Sequence, residues 1–68
     1  GDIGMSMKLI RSYYRVPAKR GGRVAYSYNG VKQFGRIAGS DHANRLRVII
    51  DGDKTSKTFH PTYNIEYL

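Results

Sequence analysis

The residues NRLRVIIDGD, positions 44–53, give the clearest indication of fold class in this sequence. Leu46, Val48 and Ile50 occupy every second position, with two arginines and an isoleucine on the positions around them. This period of two is typical of a β-strand with one face in a core. The Asp-Gly pair that follows favours a turn, because glycine accepts a positive φ. The stretch therefore predicts a strand whose outer face carries two arginines.

The same alternation recurs on both sides of this stretch. Residues 21–30, GGRVAYSYNG, alternate and end in an Asn-Gly pair that predicts a tight hairpin with positive φ at Gly30. FGRIAG, residues 34–39, gives a further strand, and two short strands are expected near the carboxyl end. Apolar spacing of three and four residues is not evident, so helix content is expected to be close to nil. Side chains expected to face inward are Val24, Ile37, Leu46, Val48, Ile50 and Ile65.

This pattern predicts one all-β domain, because 68 residues are too few for two full sheets. Residues 1–6, GDIGMS, are interpreted as an expression remnant or a disordered start. Residues 7–22 are expected to form a basic N-terminal arm that includes a first strand, and residues 23–68 the barrel core.

The charge of the chain is strongly positive and unevenly distributed. Twelve Lys and Arg stand against five Asp and Glu, a formal net charge of +7, and residues 7–40 contain eight basic residues and no acid. Such a field attracts nucleic acid, anionic membrane or acidic proteins. The alternative interpretation is a charge that only keeps the protein soluble.

Several classes of site are not expected. The chain has no cysteine and two histidines, too few ligands for a zinc site, so we expect no metal and no cofactor. The longest apolar run has three residues, which excludes a membrane-spanning helix, and no signal-peptide pattern is seen. A cytoplasmic, reducing location is the expectation, without a membrane partner.

Four segments together resemble an SH3-like barrel: GGRVAYSYNG, FGRIAG, RLRVIIDGD and HPTYNIEYL. The first part is similar to the KOW motif of ribosomal and transcription-elongation proteins, with matching roles at Gly22, Val24, Gly30, Gly35 and Ile37. The hairpin length and two bulky tyrosines depart from that motif. The resemblance implies a five-stranded, partly open antiparallel barrel with a short 3₁₀ turn before the last strand. Barrels of this kind bind RNA, DNA, proline-rich peptides or modified histone tails, so the resemblance leaves the partner open.

The outer face of the predicted central hairpin is the first candidate site. If residues 34–39 and 45–50 pair around SDHAN, the three arginines lie on one face with Phe34 and Ile49 and have no nearby acid on either strand. Guanidinium groups make forked contacts to phosphate, and a phenylalanine can stack on a base. In the competing interpretation Arg36 pairs with Glu66 or Asp51 and the face is only solvated. The residues expected to contact nucleic acid are Arg36, Arg45, Arg47, Lys19, Arg20, Arg23 and Phe34.

The segment KLIRSYYRVPAKR, residues 8–20, is a second candidate, because basic residues alternate with tyrosines. It either follows a phosphate backbone or packs as a first strand. We expect a mixture, with Tyr14 and Val16 packed and Lys19 and Arg20 on a loop rim.

We therefore predict a small basic accessory protein that binds DNA or RNA with little sequence specificity. The alternative is an interaction adaptor that holds a peptide or acidic protein in a groove lined by Tyr26, Tyr28 and Tyr63. The small size suggests a phage or other mobile-element origin, and a monomer or a dimer is compatible with the sequence. The ending HPTYNIEYL is also similar to that of type II plasmid dihydrofolate reductases, but their Val-Gln-Ile-Tyr segment is absent. We accordingly expect no enzymatic activity, no catalytic residue, and a structural role for His60.

Overall fold

The computed structural model describes the backbone of residues 5–68 and the side chains of residues 7–68. The expected remnant or disordered start at residues 1–6 lies mostly outside this range. Five strands form one antiparallel sheet in the order β4-β3-β2-β1-β5. The elements are α1 (Met5–Tyr14), β1 (Arg23–Tyr28), β2 (Val31–Ser40), β3 (Leu46–Ile50), β4 (Lys57–Phe59) and β5 (Ile65–Tyr67).

The predicted all-β, partly open barrel is confirmed. The two outer strands, β4 and β5, are not hydrogen-bonded to each other, so the sheet does not close. The sheet is nevertheless curved. Tyr26 of β1 and Phe59 of β4 have ring centroids only 4.4 Å apart, and two strands that are not neighbours in the sheet can approach this closely only if the sheet curls. Before β5 the chain makes a single turn, in which the Tyr63 N–H donates to the His60 carbonyl oxygen (3.4 Å).

The amino-terminal helix α1 corrects two predictions: near-zero helix content and a first strand within residues 7–22. Met7, Ile10 and Tyr14 are spaced three and four residues apart and lie on the inner face of the helix. Met7 and Ile10 are buried, and Tyr14 packs partly buried against the core. The helix thus contributes to the core. The expected packing of Tyr14 and Val16 is confirmed, although it is made from a helix and its connector.

The carboxyl end of α1 is closed by a Schellman-type arrangement. Arg15 has φ 56°, and the Val16 N–H donates to the Arg11 carbonyl oxygen (3.3 Å), five residues earlier. Arginine at this left-handed position is more strained than glycine would be. The chain then turns towards the sheet, where the Gly21 N–H donates to the Ile37 carbonyl oxygen (2.8 Å).

The predicted turns and core are largely confirmed. Asn29 and Gly30 have φ 51° and 78°, the two positive values of a type I′ hairpin, and Gly52 has φ 95°. Five of the six residues expected inward are buried, and Ile65 is half-buried against them. Met7, Ile10 and Ala18, which we did not expect there, complete the core cluster.

A β-bulge interrupts the register between β2 and β3. Ile37 pairs with Val48, but the next paired residues are Gly39 and Arg47. The extra residue turns Gly39 to the outer face and Ser40 inward. The Ser40 hydroxyl is buried and has no hydrogen-bond partner among the residues that the structure describes.

The part of the chain from residue 5 to residue 68 contains no helix with the length and apolar character needed to cross a bilayer.

Candidate functional site

The ion pairs of the barrel determine which cations lack a carboxylate partner. All four acids of residues 5–68 pair with a basic side chain on or next to the sheet: Arg23–Asp51 (2.6 Å), Lys32–Glu66 (3.4 Å), Arg45–Asp41 (2.9 Å) and Lys57–Asp53 (3.8 Å). Pairs between exposed side chains contribute little to the stability of a fold. Their main consequence here is that four of the seven Lys and Arg residues in 21–68 have a carboxylate partner, whereas Arg36, Arg47 and Lys54 have none within residues 5–68.

The outer face of the sheet brings Arg23 and Arg36 directly opposite each other on β1 and β2. Arg23 donates two hydrogen bonds to the Asp51 carboxylate (2.9 and 2.6 Å). This forked pair raises the pKa of Arg23 and lowers the pKa of Asp51, and the charge of Arg36 lowers the latter further. Arg36 itself makes no hydrogen bond or ion pair with any residue that the structure describes.

Phe34 lies on the same outer face, because it alternates with the buried Gly35 on β2. It stands opposite Ala25 of β1 and is 44% exposed. Ile49 of β3 lies opposite Arg36. The predicted neighbourhood of Arg36, Phe34 and Ile49 therefore exists on this face, with Asp51 at its edge.

Arg45 lies just before β3, at the end of the β2–β3 loop, and pairs with Asp41 of that loop. Its Nε donates to the Asp41 carboxylate, which also accepts the backbone N–H groups of Ala43 and Arg45 (2.9 Å each). Partial burial raises the pKa of Asp41, but these hydrogen bonds and the arginine charge outweigh it, so the pKa lies below its ordinary value. The two strands carry no acid, as expected, but Asp41 in the hairpin loop supplies a carboxylate partner for Arg45.

Arg47 is paired with Gly39 on the outer face, where its side chain lies over that glycine. It is half-buried, and its Nε donates to the Ser40 carbonyl oxygen (3.2 Å). A Cβ placed on Gly39 would lie 2.6 Å from a terminal nitrogen of Arg47, so the guanidinium covers this glycine. Arg47 therefore fills space beside the bulge.

The remaining cations concentrate at the amino-terminal end, on α1 and its connector, which we call the basic arm (residues 8–20). Lys8, Arg11, Arg15 and Lys19 are exposed and have no carboxylate partner within residues 5–68. Arg20, also exposed, belongs to the same segment. Arg11 donates to the Ala18 carbonyl oxygen (2.8 Å), which holds the connector against the helix.

The ring–ring contacts within residues 7–68 form two groups. Tyr26 lies parallel to Tyr28 (centroids 6.5 Å apart, interplanar angle 11°) and contacts Phe59. Tyr63 instead stacks on His60 at 4.0 Å. The ring contacts thus place two of the expected groove residues together and the third in another group.

The second group forms a row of four rings from α1 to the turn before β5. Tyr13 contacts Tyr14 edge-on at 4.9 Å, Tyr14 contacts His60 at 5.1 Å, and His60 stacks on Tyr63. The outer rings, Tyr13 and Tyr63, are 79% and 68% exposed. His60 Nδ1 lies 3.1 Å from the Thr62 backbone N–H that it accepts, which is a turn-capping contact.

A cleft of about 300 Å³ lies beside this row, between α1 and the β2–β3 loop. Leu9, Ile10, Tyr13 and Tyr14 form its helical side, and Ala43 and Asn44 its loop side. Leu9 and Tyr13 are one helical turn apart and exposed, so the cleft has an open apolar wall.

Two further observations concern metal-ligating and titratable side chains among the described residues. Residues 5–68 contain no group of three His, Asp or Glu side chains placed to hold a metal ion. Tyr67 has a pKa raised to about 12 by burial, and its hydroxyl donates to the Pro61 carbonyl oxygen (2.7 Å), a contact inside the fold.

The structure therefore shifts the emphasis among the candidate residues. Of the three arginines on the central hairpin, only Arg36 has a guanidinium without a hydrogen bond to the described residues. Lys8, Arg11, Arg15 and Tyr13 were not in the expected contact set, although KLIRSYYRVPAKR contains them. The signal that would have added them is the absence of any acid in that segment. No protein-family model, curated protein or solved structure matches the chain.

Proposed function

We propose that the protein binds nucleic acid, DNA or RNA, through the phosphate backbone and with little reading of base sequence. The principal contact surface is the basic arm, and Arg36 with Phe34 contributes a second contact. The observation that carries the proposal is the distribution of ion pairs: the four acids of residues 5–68 compensate cations of the barrel, while Lys8, Arg11, Arg15 and Lys19 have no such partner.

A row of uncompensated cations favours a polyanion for a physical reason. A phosphate backbone carries condensed counterions, and a protein that neutralises phosphates releases them. The gain in binding free energy from this release grows with the number of cations that contact phosphates at the same time. The hydrogen bond from Arg11 to the Ala18 carbonyl oxygen keeps helix and connector in one arrangement, which reduces the ordering cost on binding.

Arg36 is the member of the central hairpin best suited to a phosphate. Its guanidinium is exposed and makes no hydrogen bond to the described residues, while Arg45 and Arg47 donate to Asp41 and to the Ser40 carbonyl oxygen. Phe34 on the same strand face offers an exposed ring. We therefore expect Arg36→Gln to weaken binding more than Arg45→Gln or Arg47→Gln.

The test is a salt titration of binding to random-sequence duplex DNA and to single-stranded DNA and RNA. The variant Lys8→Gln/Arg15→Gly/Lys19→Gln removes three arm charges, and glycine suits the positive φ of residue 15. The slope of log affinity against log salt should decrease in magnitude by about 2.7 for duplex and about 2.1 for single strands, from 0.9 and 0.7 per phosphate.

The matched control is Lys32→Gln/Lys54→Gln/Lys57→Gln, which removes the same charge from the barrel. Two of these lysines are paired with acids. The control should change the slope by less than half as much as the arm variant. Equal changes would mean that net charge, and not the arm, determines binding.

A protein-interaction adaptor is the second candidate, favoured by one observation. Tyr26, Tyr28 and Phe59 lie together beside the open side of the sheet, and Tyr28 is 62% exposed. If the parent protein binds neither polymer at low salt, this adaptor function replaces the first proposal.

A further inference from the structure

We infer that the cleft between α1 and the β2–β3 loop receives an unpaired base, so that the protein prefers single-stranded nucleic acid over a duplex. This inference rests on the proposed function, because the phosphates on either side of that base would lie on the basic arm. Its ligand class is a single strand whose base stacks on Tyr13.

The shape and lining of the cleft support a planar, largely apolar guest. Leu9 and Tyr13 form one wall and Ala43 and Asn44 the other, around about 300 Å³. Tyr13 meets Tyr14 edge-on, with an interplanar angle of 86°, and remains 79% exposed. Its ring therefore presents open π surface, and every base can stack on such a surface whatever its sequence.

Asn44 provides the polar edge of the cleft. Its backbone has φ 61° and its N–H donates to the Asp41 carbonyl oxygen (3.1 Å), which fixes the residue in the loop. The Asn44 side-chain amide makes no hydrogen bond within residues 7–68. An amide supplies both a donor and an acceptor, the two kinds of group found on a base edge.

Charge complementarity selects this guest over an apolar side chain of a protein. Lys8 adjoins Leu9 along the helix, and Arg11 and Arg15 follow on the exposed surface, with no acid on α1. A strand that crosses the helix could place phosphates on these cations and one base in the cleft. A base inside a duplex is stacked on both faces, and extracting it has a free-energy cost that a single strand avoids.

The test compares a twelve-residue thymidine strand with an abasic twelve-residue strand that carries the same phosphates, by fluorescence anisotropy. The parent should bind the base-bearing strand more tightly. Tyr13→Ala should weaken that binding roughly 5- to 100-fold, because the stacking contact is lost. Its affinity for the abasic strand should stay within about twofold of the parent's, because the charge of the protein is unchanged. Asn44→Gly, which accepts the same positive φ, should weaken binding of the base-bearing strand and leave binding of the abasic strand unchanged.

Tyr28→Ala is the control, because it removes an aromatic ring that is 62% exposed on the barrel. It should change binding of either strand by less than about twofold if stacking occurs at Tyr13. Far-UV circular dichroism and thermal melts serve to check that each variant is folded before its binding is compared.

Four outcomes overturn the inference. If the parent binds the two strands equally, no base binds in the cleft, and the proposed phosphate binding is unaffected. The same holds if Tyr13→Ala weakens binding of both strands equally. If Tyr28→Ala reduces the affinity for the base-bearing strand as much as Tyr13→Ala does, the base does not bind specifically in the cleft beside Tyr13. Absence of parent binding to either strand at low salt refutes the proposed function as well.

Discussion

Gly35 should be the least replaceable glycine of the barrel. A Cβ at this position would lie 2.6 Å from the Ile49 carbonyl oxygen and 3.0 Å from the Ile50 Cα, and ordinary contact begins at 3.4 Å. The backbone of β3 would have to move by several tenths of an ångström. Overpacking of this kind costs roughly 1–3 kcal/mol and sometimes more. Because the obstacle is backbone, we expect Gly35→Ala to cost about 3 kcal/mol.

That loss is large for a chain of this size. Stabilities of about 0.05–0.15 kcal/mol per residue imply a total of roughly 3–10 kcal/mol. A loss of about 3 kcal/mol should lower the melting temperature by roughly 12–24 °C, at 4–8 °C per kcal/mol. Thermal and urea unfolding followed by circular dichroism measure both quantities.

Gly39→Ala is the matched control on the same strand. Neither glycine has a positive φ, but the three atoms nearest an added Cβ at Gly39 all belong to the Arg47 guanidinium, which can rotate away. Its cost should stay within about 1 kcal/mol, comparable to one lost hydrogen bond. If both variants lose the same stability, the close approach of β2 to β3 at Gly35 is not the constraint described above.

Three further changes test other parts of the fold. Arg15→Gly should stabilise the protein by about 0.5–1 kcal/mol in urea unfolding, because glycine relieves the left-handed strain at the end of α1; a destabilised variant would contradict this. Ser40→Ala should be neutral or stabilising by up to about 1 kcal/mol, since it removes a buried hydroxyl without a partner, and a clear loss of stability would reveal a hidden hydrogen bond. Tyr67 has a pKa raised to about 12, so the stability that its protonated form contributes is complete below pH 10 and is lost as the pH rises through 12. Tyr67→Phe should lose the bond to the Pro61 carbonyl oxygen at neutral pH and show a shallower alkaline decline, and an unchanged decline would show that other groups control it.

The strands could be predicted because their information is local. Alternation in residues 44–53 and glycines at the turns specify faces and hairpins without knowledge of the rest of the chain. The helix was missed for a physical reason. Met7, Ile10 and Tyr14 make only two turns, among arginines and lysines, and such a short stripe becomes stable only through packing on the barrel.

The candidate site was harder to predict than the fold. Which arginine keeps a free guanidinium depends on pairs distant in sequence, such as Arg23 with Asp51. It depends also on the bulge after Ile37, which directs Arg47 onto Gly39. A single inserted residue in a strand changes the face of everything beyond it. The excess of cations in the first half of the chain, by contrast, required only counting.

The two border strands of the sheet have a consequence for self-association. An open sheet exposes unsatisfied N–H and C=O groups along its edges, where the strand of another molecule can add. Here β4 and β5 are three residues long, and β4 begins at the exposed Lys57 and is followed by His60 and Pro61. Proline lacks the N–H needed to extend the ladder, and a lysine ammonium would be dehydrated by a docking strand. The barrel can thus remain open without offering a template for fibre growth.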